Sequence, residues 1–153
     1  MIGDTDIIPY REFGALRFLD FFPTAPVYED DEVGGTITNI GPACIAGYGF
    51  TAFARRIGHS QTAAIKLDFS QDCPEREGNV LLARLGLNLV KGASVAEVFD
   101  RLGAPASDHT SPTGIRFCEF TIGEHWRYDI GCGFDKAGKL YKVGMARSDL
   151  VVK

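Results

Sequence analysis

Ser94-Val95-Ala96-Glu97 and Leu102-Gly103-Ala104-Pro105 mark both ends of one helix, and everything after it must be arranged around that helix. A serine at the N-cap accepts a hydrogen bond from a backbone N–H of the first turn, and a glutamate three residues on can reach back to the cap amide. Val95, Val98, Phe99 and Leu102 then fall on one face at helical spacing. Gly103 suits the left-handed conformation that closes a helix, and Pro105 prevents its resumption. The spacing predicts a helix over residues 95–102 with an apolar face that needs a partner.

That partner lies directly downstream. Three alternating runs, Ile115–Ile122, Trp126–Phe134 and Leu140–Ala146, are predicted as an antiparallel β-meander. The parity of the first connection decides which residues share a face. A three-residue loop, Gly123-Glu124-His125, joins Cys118, Phe120 and Ile122 to Trp126, Tyr128, Ile130 and Cys132 on an apolar face. A two-residue loop would mix the sets. The turn Asp135-Lys136-Ala137-Gly138 adds Tyr141, Val143 and Met145 to that face, which is expected to cover the helix. Phe117, Glu119, Thr121, Arg127 and Asp129 fall on the opposite, more polar face.

The upstream half is less regular. Phe13, Leu16 and Leu19 share a helical face within Tyr10–Phe22, which Pro23 and Pro26 terminate. Glu29-Asp30-Asp31-Glu32 is expected as a solvated loop, Thr36–Ile40 as a short strand and Gly41-Pro42 as a turn. Gly47–Arg55 and Thr62–Phe69 read as a hairpin, the second strand alternating Ile65, Leu67 and Phe69 with Lys66 and Asp68. Gln71–Asn79 reads as a loop, and Val80–Val90 suits either a strand or a helix. The fold class expected is α+β: an antiparallel β-meander on a short helix, preceded by a further β-hairpin. Its 153 residues are expected to form a single domain, residues 1–79 holding the hairpin and 86–146 the helix-plus-meander module. Eighteen glycines and eleven phenylalanines agree with a β-rich chain.

Several function classes are disfavoured. A net charge of −4 argues against a general nucleic-acid binder, which needs a basic surface. No segment approaches the 18 apolar residues of a membrane span, and the N-terminus has no basic region before an apolar run, so a cytoplasmic location is expected. Cys44, Cys73, Cys118 and Cys132 lack metal-site spacing and read as small apolar residues. His59, His109 and His125 all fall in predicted loops. In the predicted register Cys118 points into the core while His125 sits at a hairpin tip, so no Cys–His nucleophile is expected. No phosphate or dinucleotide fingerprint occurs, and Gly131-Cys132-Gly133 lies in or beside a strand, where glycine permits a bend or a close backbone approach. No cofactor and no metal are expected.

Two features suit protein binding instead. The acids Glu29, Asp30, Asp31 and Glu32 are either a solvated run or a patch that steers a basic partner. Phe117, Glu119, Arg127 and Asp129 are either ordinary outward-facing residues or a docking surface, since aromatic and arginine side chains dominate binding hot spots.

The segment Val90-Lys91-Gly92-Ala93-Ser94-Val95-Ala96-Glu97-Val98-Phe99-Asp100-Arg101-Leu102-Gly103-Ala104-Pro105 also resembles a recurring pattern. With Trp126…Tyr128 and Phe134-Asp135-Lys136-Ala137-Gly138-Lys139-Leu140…Val143, it looks like the helix-plus-meander module of two groups. One contains β-lactamase-inhibitor proteins (BLIP-like) and SmpA/OmlA outer-membrane lipoproteins. The other contains small immunity proteins paired with bacterial polymorphic toxins. The resemblance spans residues 86–146, and residues 1–46 match neither. It implies a non-enzymatic protein that grips another protein. The lipoprotein branch carries a signal peptide and a lipidated cysteine near its start, and this chain shows neither. The expected function is therefore a cytoplasmic immunity protein that occludes the active site of a cognate toxin. The alternatives are an envelope-type scaffold or assembly factor and a small-ligand-binding domain. Meander edge strands can also pair with a second copy, so a homodimer is open.

Overall fold

The alternating segments assemble into one antiparallel sheet. The computed structural model describes residues 2–16, 28–32, 36–40, 45–50, 62, 64–70 and 74–150, and side chains for 2–16, 62, 64–70 and 74–149. Eight strands are described: β1 (Tyr28–Glu32), β2 (Thr36–Ile40), β3 (Ile45–Phe50), β4 (Ala64–Asp68), β5 (Ser107–Thr110), β6 (Arg116–Ile122), β7 (Tyr128–Phe134) and β8 (Leu140–Arg147). Their order is β1-β2-β3-β4-β8-β7-β6-β5. The expected upstream hairpin is β3–β4, and β4 pairs antiparallel with β8, so the upstream strands and the meander share one sheet. The fold is α+β.

Three α-helices accompany the sheet among the described residues: α1 (Tyr10–Gly14), α2 (Glu75–Arg84) and α3 (Val95–Leu102). The bounds of α3 are those the sequence predicts, and the Ser94 hydroxyl accepts the Glu97 N–H at 3.1 Å. Leu81, Leu82 and Leu85 at the end of α2 and Val98 and Leu102 of α3 are buried with Ile65, Leu67, Phe120, Ile130 and Val143 of the sheet. None of the described helices is long and apolar enough to cross a membrane.

The meander's faces follow the expected parity with a shifted pairing. Ile122 pairs with Tyr128 rather than Trp126, leaving five residues in the connection. A slip by two residues preserves faces, so Cys118, Phe120, Ile122, Tyr128, Ile130 and Cys132 still line the core. Tyr141 is a correction. A register shift between Gly133 and Phe134 pairs Phe134 with Leu140 and Gly133 with Lys142, so Tyr141 is the extra residue of a bulge. Leu140 fills the core place instead, and Tyr141 is half-buried.

Four further expectations are corrected. The acidic run Glu29–Glu32 is strand β1, paired with β2, rather than a loop. Among the described strands β1 stands at the end of the order, and charged residues on an edge strand discourage pairing with other chains. Residues 75–79, expected in a loop, open helix α2; Pro74 supplies its N-terminus and Glu75 and Glu77 suit its positive end. Ser107–Thr110 forms the edge strand β5, with every residue exposed, and His109 is therefore in a strand. Helix α1 spans only Tyr10–Gly14; Phe13 and Leu16 are buried as the pattern implied. Residues 17–27, 41–44 and 51–61, with the expectations for Leu19, Gly41-Pro42 and His59, lie outside the described residues, as do Cys44 and Cys73.

The segment before α1, unmatched in sequence, is part of the core. Ile7 and Ile8 are buried, the Ile8 N–H donates to the Leu85 carbonyl, and the buried Tyr128 hydroxyl donates to the Ile8 carbonyl at 2.6 Å. Gly86 makes this approach possible. Its φ is +84°, and a Cβ there would lie 2.0 Å from the Asp6 carbonyl oxygen. The Asp4 carboxylate takes the backbone N–H groups of Glu124 and His125, so the N-terminal segment also holds the β6–β7 connection.

Candidate functional site: the open face of the sheet

Strand alternation puts every second residue of β4, β8, β7, β6 and β5 on the face away from the helices. The registers arrange these residues in rows. Ala64, Ala146, Asp129 and Thr121 make the first row. Lys66, Gly144, Gly131, Glu119 and Ser107 make the second. Asp68, Lys142, Gly133, Phe117 and His109 make the third. The middle of the face is bare backbone between a basic side, Lys66 and Lys142, and an acidic side, Glu119 and Asp129.

The glycines do two different things. A Cβ on Gly133 would meet Lys142, Tyr141 and Phe117 at 3.2–3.4 Å, so those side chains already close over that position. A Cβ on Gly131 would meet nothing within 4 Å, and one on Gly144 only the Ile65 carbonyl oxygen at 3.9 Å. Neither has a positive φ, so backbone conformation does not demand glycine at either position. They floor a groove of about 570 Å³ that lies across the strands, with Phe117 and Glu119 on one side and Lys66 and Lys142 on the other. Phe117, 39% exposed, is one of three large apolar residues exposed among the described residues.

The polar contacts of this face are few. Thr121 donates to Asp129 at 3.1 Å. Asp68 is occupied by the N–H and hydroxyl of Ser70, at 2.9 and 2.6 Å. Burial, and then the neighbouring Lys66, hold Lys142 below the ordinary lysine range.

Of the candidate binding residues, Phe117, Glu119 and Asp129 share this face. Arg127 stands just before β7 and is exposed, while its main chain is held by Tyr10, whose hydroxyl donates to the Arg127 carbonyl and accepts its N–H. Glu29, Asp30, Asp31 and Glu32 lie on β1, five strand spacings from β7, or roughly 24 Å along the sheet. The acidic run and the Glu119–Asp129 pair are therefore separate features. Lys66, Lys142 and Gly144 were not singled out in the sequence. Their signal is the alternation around Lys66 and a glycine on each of two paired strands, and it acquires meaning only once the cross-strand register is known.

On the core side Cys118 is buried, and its thiol donates to the Asp108 carboxylate at 3.4 Å. Arg116 binds the same carboxylate through two nitrogens, at 2.9 and 2.6 Å. Burial pushes the Cys118 thiol above the ordinary range and the Cys132 thiol up to about 12, which keeps both protonated near neutral pH. Among the described residues no group of three or more His, Cys, Asp or Glu is placed to hold a metal ion. No family model, curated protein or solved structure matches this chain.

Proposed function

We propose that this is a non-catalytic protein-binding protein, and specifically a cytoplasmic immunity protein that inhibits a cognate bacterial toxin by occluding its active site. One observation carries the first half of the reading. The helices cover one face of β4–β8–β7–β6–β5, and the other face presents a grooved, two-signed surface with an exposed phenylalanine. Such a surface suits a protein partner, because an aromatic anchor supplies contact area while opposed charges set orientation. The groove runs over a sheet rather than into a cleft between elements, and a partner's protruding segment fills such a shape.

The toxin half rests on the resemblance of residues 86–146 to the immunity-protein module and on the acidic strand β1, which suits attraction of a basic enzyme. Tagged protein purified from its native host, with bound proteins identified by mass spectrometry and sized in complex, tests both halves. The reading expects one stoichiometric partner whose toxic activity falls when this chain is added. A stoichiometric partner that remains fully active in the complex would refute the inhibitor role.

A further inference from the structure

We propose that Lys66 and Lys142 form a carboxylate-binding pair that takes an aspartate or glutamate side chain of the protein docking on the open face. This rests on the reading of that face as a docking surface and names the chemistry its partner must bring.

Lys66 on β4 and Lys142 on β8 point to the same face one row apart, at the basic end of the groove. Two lysines one row apart on paired strands repel each other, and Lys66 helps hold Lys142 below the ordinary lysine range. Asp68, in register with Lys142, attracts it from the same row but has its Oδ1 taken by the N–H and hydroxyl of Ser70. Among the described residues no carboxylate lies within 4.0 Å of either ammonium group. An arriving anion gains from two lysines at once.

The surroundings select the kind of anion. Gly144, in register with Lys66, and its neighbour Gly131 leave room for a side chain to lie flat on the sheet. Phe117 offers an apolar wall beside them. Asp68, Glu119 and Asp129 outnumber Lys66 and Lys142 on the same face, so its net field opposes a dianion more than a monoanion, which favours a carboxylate over a phosphate. The two ends then read a partner in one orientation, acid toward Lys66 and Lys142 and base toward Glu119 and Asp129.

Benzoate, which joins a flat apolar ring to a carboxylate, is the probe. It is titrated into the full chain with the lysine ¹³Cε and backbone amide signals followed by NMR, beside benzamide and inorganic phosphate. Expected are saturable shifts at Lys66, Lys142, Gly131 and Gly144 with benzoate at roughly millimolar affinity, and none with benzamide. Lys66→Gln or Lys142→Gln should each weaken benzoate roughly tenfold, the loss of one charge-assisted hydrogen bond. Absence of saturable shifts, or their survival in the double variant, would overturn the proposal. So would phosphate binding more tightly than benzoate, or micromolar benzoate affinity, which would mark a pocket for a free small acid. The captured partner separates this inference from the reading beneath it. A partner lost with Glu119→Lys but kept with Lys66→Gln/Lys142→Gln removes only the lysine assignment, whereas one kept with both removes the docking face itself.

Discussion

Replacing Gly131 and Gly144 together by alanine should make the protein more stable and worse at binding. Glycine inside a strand is less stable than alanine by about 0.5–1 kcal/mol, because the unfolded chain gives up more freedom. Alanine realises that gain only where φ is ordinary and the new methyl meets no clash. Both conditions hold: neither residue has a positive φ, a Gly131 Cβ meets nothing within 4 Å, and a Gly144 Cβ meets one oxygen at 3.9 Å. The pair should therefore gain about 1–2 kcal/mol, an increase of roughly 2–8 °C in Tm for a chain of this size. Gly86→Ala is the control. There φ is +84° and the Cβ would lie 2.0 Å from the Asp6 oxygen, so the same chemical change should destabilise. Thermal unfolding by circular dichroism, with urea titration for free energies, measures all three proteins. A double variant no more stable than the parent would refute the reasoning, because it would mean that backbone strain or hidden contacts require the two glycines.

Other consequences are direct. Ser94→Ala removes the hydroxyl that accepts the Glu97 N–H and should cost about 1 kcal/mol in urea unfolding, with Ser94→Gly costing less. Tyr128→Phe deletes the buried hydrogen bond to the Ile8 carbonyl and should cost about 1–2 kcal/mol, and it should raise hydrogen exchange in the segment before α1. The backbone N–H groups of His125 and Glu124 hold the Asp4 carboxyl below its ordinary value of 3.8. A folded pKa lowered in this way adds stability that is complete above the unfolded value and lost as pH falls through the folded one. Acid unfolding should therefore show a loss below about pH 3.8 that Asp4→Asn removes, while the two proteins keep parallel stability curves at higher pH.

Helix α3 was legible because both its ends are signalled by residues that act within four positions, and the meander's faces because parity survives a two-residue slip. Signals that depend on tertiary context did not show in the sequence. Glu75–Asn79 looks like a loop since its charges match no apolar period, yet Leu81, Leu82 and Leu85 bury the far end of the helix and carry the first turn with them. Glu29–Glu32 looks like a loop because acids are poor strand formers, and pairing with β2 overrides that preference. Ser107–Thr110 has no apolar face to read, since β6 alone holds it at the edge. Tyr141 was displaced by one bulge residue. The open face was half legible: Phe117, Glu119 and Asp129 followed from alternation along single strands. The bare floor and the lysine pair come from β4 lying beside β8, a contact between residues far apart in the chain.

The open face of β4–β8–β7–β6–β5 is the proposed place where another protein docks. The most direct measurement compares partner capture by the parent chain, by Thr121→Trp, which places a large ring on that face, and by Val80→Asp, which alters an exposed position on α2. Thr121→Trp, folded by circular dichroism, is expected to lose the stoichiometric partner while Val80→Asp keeps it. Full retention by Thr121→Trp, or loss only with Val80→Asp, would rule out the open face as the docking surface and move the interface to the helical side.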